Sequence, residues 1–206
     1  LLEIPDPPYG LFYKGKLPEQ KQPSVAVIGA RECSEYGRFV AEELGRYLGS
    51  QGIQVISGMA RGIDGISQQA ALLAGGTSYG VLGCGVDICY PRQNRKLYEE
   101  LIQKGGLLST YAPGTKALPA YFPPRNRIVS GLADALIVIE ARQKSGTLIT
   151  VDMALEQGKD VYVVPGRITD RLSDGCNRLL TQGAGVFLSP ENFTEEFLRN
   201  WEEKQE

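Results

Sequence analysis

Five short segments of this chain gather the residue types that hold phosphate. In the first, Gly29-Ala30-Arg31 leads through a tight turn to Tyr36-Gly37. It carries half of a dinucleotide fingerprint, but the full G-x-G-x-x-G is absent, and a purely structural turn is the alternative. The second is Ser57-Gly58-Met59-Ala60-Arg61-Gly62-Ile63-Asp64. Gly58 and Gly62 let a backbone approach a ligand closely. Ser57 supplies a hydroxyl, and Asp64 is placed to cap a helix that begins there. The amides of that first helical turn favour an anion, and Arg61 adds a forked donor suited to phosphate. In the third, Pro113-Gly114-Thr115 precedes Phe122-Pro123-Pro124-Arg125-Asn126-Arg127-Ile128. An aromatic beside arginines suits single-stranded nucleic acid, where bases stack and guanidinium groups hold phosphates. A helix with Ile128, Val129 and Leu132 inward would instead put the arginines on a solvated face. The fourth runs from Glu140 through Lys144 to Ser145-Gly146-Thr147, a second anion nest at a helix start. The fifth, Pro165-Gly166 through Ser173 to Asn177, either closes the same face or is a tight connector.

Other chemistry is excluded by composition. The chain has no histidine, which removes Ser-His-Asp and Cys-His catalysis. The cysteines Cys33, Cys84, Cys89 and Cys176 form no C-x-x-C pair, so they read as buried free thiols rather than as a zinc site. No catalytic residue, metal or cofactor is expected. The formal net charge of −2 means that any phosphate-binding surface is a local cluster set in an acidic remainder. No run approaches the roughly 20 apolar residues that span a bilayer, and no basic-then-apolar leader is read ahead of the first domain. A cytoplasmic protein without a membrane contact is expected. The start at Leu1 rather than Met reads as a fragment or a processed chain.

Each phosphate-type segment follows, or lies just before, an apolar run. Strands are expected at Val25–Ile28, Gln54–Ser57, Tyr79–Leu82, Leu107–Leu108, Ala135–Glu140, Val161–Val164 and Gly185–Leu188. Helices are expected over Tyr36–Gln51, Asp64–Ala74, Arg95–Lys104, Thr147–Gln157 and Asn177–Gln182. Strands that are apolar on both faces and alternate with helices predict an α/β fold. It is an extended Rossmann-like, doubly wound, mostly parallel sheet with helices on both faces. Ligands in such sheets bind at the carboxyl ends of the strands, near a switch point. Residues 1–24 read as an extended arm packed on the domain edge, and 25–190 as the core. Residues 191–206 read as a C-terminal helix whose Phe193, Phe197 and Trp201 share a face. That face either docks on the core or awaits a partner.

Taken in order, these blocks resemble the DNA-processing protein A (DprA/Smf) family. The resemblance rests on Gly29-Ala30-Arg31, Ser57 to Asp64, Tyr90-Pro91 with Asn94, Pro113-Gly114-Thr115, and Phe122 to Leu132. It continues through Glu140-Ala141, Ser145 to Thr150, Pro165-Gly166, and Gly175 with Asn177. It runs across roughly residues 8–188 and implies a Rossmann-like core, a homodimer, binding of single-stranded DNA, and delivery of that strand to RecA during natural transformation. It carries over to Arg31, Arg61, Phe122, Arg125 and Arg127 as DNA-contacting positions. With the residues read above, the expected site adds Ser57, Gly58, Gly62, Gly114, Thr115, Asn126, Lys144, Ser145, Gly146 and Thr147. The chain departs from the family pattern at Gln68, near a usual histidine, and at Thr110, where a glutamate is common. The runner-up is a nucleotide-binding or nucleoside-monophosphate-hydrolysing domain of the lysine-decarboxylase-like (LOG) type. Those proteins need a glutamate where Ile149 and Thr150 stand. A third alternative is a small-nucleotide sensor using the same pocket.

Overall fold

The structure is a computed structural model and describes residues 1–203. Its centre is an eight-stranded sheet in the order β1-β5-β4-β3-β2-β6-β7-β8. The strands are β1 (Phe12–Gly15), β2 (Ser24–Gly29), β3 (Gln54–Ser57), β4 (Ser78–Val81), β5 (Gly106–Ser109), β6 (Ala135–Ile139), β7 (Asp160–Val163) and β8 (Gly185–Val186). All neighbours run parallel except β1, which pairs antiparallel with β5. The helices are α1 (Glu35–Ser50), α2 (Ile63–Leu73), α3 (Arg95–Lys104), α4 (Phe122–Leu132), α5 (Gly146–Glu156), α6 (Asp174–Thr181) and α7 (Pro190–Glu203). The chain winds one way from β2 to β5, then returns to place β6 on the other side of β2. This makes the β2–β6 boundary the switch point of a doubly wound sheet.

Period-2 alternation assigns the two faces. In β2, Val25 and Val27 join Ala41, Leu44 and Leu48 of α1 and Ile63 and Ala71 of α2. Ala26 and Ile28 face the other way, onto Ile128 and Val129 of α4 and Val151 and Ala154 of α5. Burial on both faces explains why these strands read as continuous apolar runs. The aromatic stripe of α7 docks on the core: Phe193 and Phe197 are buried, stacked on one another, with Tyr162 edge-on to Phe193. The last residues of the expected helix, 204–206, lie outside the described residues.

The structure departs from the sequence expectations in four elements. The N-terminal arm contains a strand, β1, in register Phe12↔Ser109 to Gly15↔Gly106. Helix α6 starts earlier, at Asp174, and the last strand stops at Val186. Asp64 is not the cap of α2; Gly62 holds that position at φ 70°, and the Asp64 carboxylate turns back onto the preceding loop.

Candidate nucleic-acid interface

A cavity of about 570 Å³ opens at the switch point, over the carboxyl ends of β2, β3 and β6. It brings together Arg31 after β2, Gly58 and Arg61 after β3, Phe122, Arg125 and Asn126 at the start of α4, and Ser145, Gly146 and Thr147 at the start of α5. Tyr90, Pro119, Arg142, Ile149 and Thr150 complete much of the wall.

Six of the expected residues lie elsewhere. Ser57 is fully buried and its hydroxyl donates to the Val27 carbonyl (2.6 Å), so it ties two strands together. Gly62 lies outside this cavity; a side chain there would collide with the Ala30 and Arg31 carbonyls. Gly114 and Thr115 belong to a loop pinned by Asp87, whose carboxylate accepts the Gly114 amide at 2.9 Å. Lys144 is exposed and off the wall. Arg127 turns to Asp6 of the N-terminal arm, 3.3 Å away. Of the four arginines expected to converge, three therefore do. The fifth segment is a connector: Asn177 accepts the Gly166 amide and donates to the Gly166 carbonyl, and no residue of 165–177 lines the cavity.

The floor is built around Arg125, which is only 6% exposed. The helical period puts it on the same face of α4 as Ile128 and Val129, so it points inward rather than onto a solvated face. Its Nη1 donates to the carbonyls of Gly58 (3.0 Å) and Val81. Nη2 has no acceptor among the described residues. Burial pulls this guanidinium down to about 10, against the attraction of Asp64, so it stays cationic at neutral pH. Asp64 is buried too, and desolvation pushes its carboxyl above the usual aspartate range while Arg125 opposes the shift. Asp64 accepts the Gly58 amide (3.1 Å), and Gln68 accepts the Met59 amide (3.1 Å). The Gly58 and Met59 amides are therefore satisfied internally rather than left for an anion. Gly58 is glycine because a Cβ there would lie 2.7 Å from both Arg125 Nη2 and Asp64 Oδ2. Gln68, at the departure from the family pattern, also donates to Ser78 Oγ and the Tyr79 carbonyl.

The start of α5 differs. Ser145 is its N-cap residue but makes no capping bond, and its buried hydroxyl has no partner. With the first-turn amides, it presents an open anion seat beside Arg31, Arg61 and Arg125. The start of α1 is closed. Ser34 caps it by accepting the Gly37 amide (3.0 Å), while Glu140 accepts the Ser34 amide (2.9 Å) and its hydroxyl. Glu140 is buried with φ at 58°, and Gly37 leaves room for its carboxylate.

Phe122 stands half-buried among cations and an aromatic. The Arg31 and Arg125 guanidinium carbons lie 5.6 and 5.8 Å from its ring centre, and the Tyr90 ring is 5.6 Å away. Sequence reasoning assigned no role to Tyr90 or to Arg142, and did not foresee the burial of Arg125 near Asp64. The signal for that burial was present in the spacing of Arg125, Ile128, Val129 and Leu132.

The family model for DNA recombination-mediator protein A matches residues 1–198. The DNA processing protein DprA of Streptococcus pneumoniae is 43% identical over 197 residues, covering 96% of this chain and 70% of that protein. DprA of Bacillus subtilis is 40% identical over 197 residues, with 95% and 66% covered. Protein Smf of Escherichia coli is 39% identical over 196 residues, and the chain spans 52% of its length. Among solved structures, DprA from Streptococcus pneumoniae superposes with a TM-score of 0.90 at 43% identity, covering 95% of this chain and 69% of that one. DprA from Helicobacter pylori, described for its single-stranded DNA binding mode, gives 0.87 at 32% identity, with 96% and 91% covered. A molybdenum cofactor binding protein from Rippkaea orientalis shares the fold at 18% identity and a TM-score of 0.62.

Proposed function

The chain belongs to the DNA recombination-mediator protein A family, and from that premise we propose that it binds single-stranded DNA in the switch-point cavity. One observation carries the proposal: three arginines and an unpaired serine hydroxyl at the uncapped start of α5 line the same cavity. Phosphates of a strand sit against Arg31, Arg61 and the amides of Gly146 and Thr147, and bases lie against the aromatic wall. Asn126 lines the same wall. Contacts of this kind tolerate any base sequence. The chain works as a homodimer that hands the strand to RecA during natural transformation, in the cytoplasm where that DNA and RecA meet. Among the described residues no helix is long and apolar enough to cross a membrane.

The same proposal holds that the cavity binds without hydrolysing. Ile149 and Thr150 line it where a LOG-type hydrolase needs a carboxylate. Asp64, the buried acid of the wall, accepts the Gly58 amide and feels the Arg125 charge.

The test is a titration with oligonucleotides of increasing length at several salt concentrations. If about three phosphates are neutralised, log affinity falls against log salt with a slope near −2, from about −0.7 per phosphate on a single strand. Arg61→Ala flattens the slope by up to about one unit and weakens binding alike for all sequences. Saturation by a mononucleotide, with no gain from longer strands, refutes DNA and leaves a nucleotide sensor.

A further inference from the structure

The Tyr90-Pro91 and Asn94 block has no part in the phosphate contacts, yet its Tyr90 lines the cavity. Tyr90 is 46% exposed, and its hydroxyl has no partner among the described residues. Its inner side rests on Phe122, ring centres 5.6 Å apart and planes at 33°. Phe122 is itself held by the two guanidinium groups, and it packs so closely on Gly83 that a Cβ there would come within 2.8 Å of the ring. Phe122 is thus a braced support, while Tyr90 presents a ring to the open cavity.

The position of that ring is fixed from below. Asn94, one turn beyond Tyr90, donates through Nδ2 to the carbonyls of both Met59 and Ala60, at 3.0 Å each. The Asn94 amide also closes the turn onto the Pro91 carbonyl (3.0 Å). Two segments far apart in sequence are clipped together, one carrying Tyr90 and the other Arg61. A flat apolar surface is therefore held at a set distance from a phosphate-seeking cation, which is what one nucleotide unit requires.

We propose that Tyr90 is a base-stacking residue of this site and that Asn94 is the positioning residue that sets it against Arg61. The proposal rests on the switch-point cavity being the DNA site. A stack contributes affinity without neutralising phosphate, so it leaves a signature different from that of an arginine.

Tyr90→Ala is expected to weaken single-strand binding about 5- to 100-fold, the range of one base–aromatic stack, with the salt slope unchanged. Tyr90→Phe keeps the affinity. Asn94→Ala weakens binding and also makes the affinity less sensitive to Tyr90→Ala, because the ring is no longer held in place. Thermal melts establish that each variant is folded. Should Tyr90→Ala fail to fold, photo-crosslinking of the unaltered protein to 5-iodouracil-substituted oligonucleotides takes its place, with a crosslinked peptide containing Tyr90 expected. If Arg31→Ala and Arg61→Ala weaken binding while Tyr90→Ala does not, or if crosslinks form only at other residues, the assignment of Tyr90 is overturned and the cavity stands. If neither arginine variant changes affinity or salt slope, the DNA lies elsewhere and both proposals fall together.

Discussion

Replacing Arg125 by alanine separates a contact residue from a strut. The guanidinium is buried, donates to the Gly58 and Val81 carbonyls, and faces the buried Asp64. Removing one partner of a buried charge pair costs about 3–5 kcal/mol, because the other charge is left without compensation. For a domain of this size each kcal/mol moves the melting temperature by about 2–4 °C. Arg125→Ala is therefore expected to melt roughly 6–20 °C lower. Arg61→Ala, at an exposed position, should stay within about 0.5 kcal/mol of the parent. Adding Asp64→Asn to Arg125→Ala removes the stranded carboxylate and should recover about 1 kcal/mol or more. A pH dependence follows with a definite sign. Burial raises the Asp64 carboxyl in the folded state, so its contribution to stability is complete below the ordinary aspartate range. That contribution is lost as pH rises through the raised value. Without Arg125 to oppose the shift, the loss toward neutral pH becomes larger, and Asp64→Asn abolishes it. Differential scanning calorimetry and urea melts across pH 3–8 measure all of this. An Arg125→Ala variant that melts like the parent but no longer binds oligonucleotides would refute the reasoning, since the guanidinium would then be a ligand contact alone.

Gly58→Ala should lower stability by about 1–3 kcal/mol through overpacking, since the new methyl would sit 2.7 Å from Arg125 and Asp64; chemical denaturation reads it directly. The proposed homodimer should use the chain around residues 160–188, where Ile168, Val186 and Leu188 are exposed. Light scattering at micromolar concentration should give twice the chain mass, and a monomer mass for Val186→Asp; a monomeric parent sinks the proposal. Cys84 and Cys176 are buried, and desolvation pushes both thiols up to about 11, so at pH 8 alkylation of the folded protein should reach only Cys33 and Cys89. Mass spectrometry counts the adducts, with all four expected after denaturation. Incubation with nucleoside monophosphates should release no free base, and turnover that disappears with a cavity variant would overturn the non-enzymatic proposal.

The central parallel strands were legible because they are buried on both faces, so Val25 to Ile28 and Ala135 to Ile139 are apolar at every position. Strand β1 was not, because all four of its residues are exposed and only the pairing with β5 defines it. The convergence of Arg31, Arg61 and the Ser145–Thr147 turn follows from topology: loops after parallel strands end up on one edge. The direction of each side chain on those loops does not follow from topology. Arg125 and Arg127 differ by two residues on one helix, which sends the first into the core and the second toward Asp6. Asn94 shows the deeper limit, since its acceptors at Met59 and Ala60 are chosen by a contact between distant segments.

The closed start of α1 has a consequence for what this scaffold can hold. In dinucleotide-binding relatives of the architecture, the pyrophosphate rests on the helix that follows the first parallel strand. Here that helix is α1, and its end is already occupied by the Glu140 carboxylate through Ser34. A phosphate brought within about 4 Å would meet a like charge, at a cost of roughly 4 kcal/mol for an effective dielectric near 20. The cofactor seat of the fold is thus filled from within by the protein's own acid. An open seat remains on the α5 side of the switch point, so a chain of phosphates entering the cavity would be met asymmetrically. If single-stranded DNA occupies the cavity as proposed, its 5′ and 3′ directions are inequivalent there.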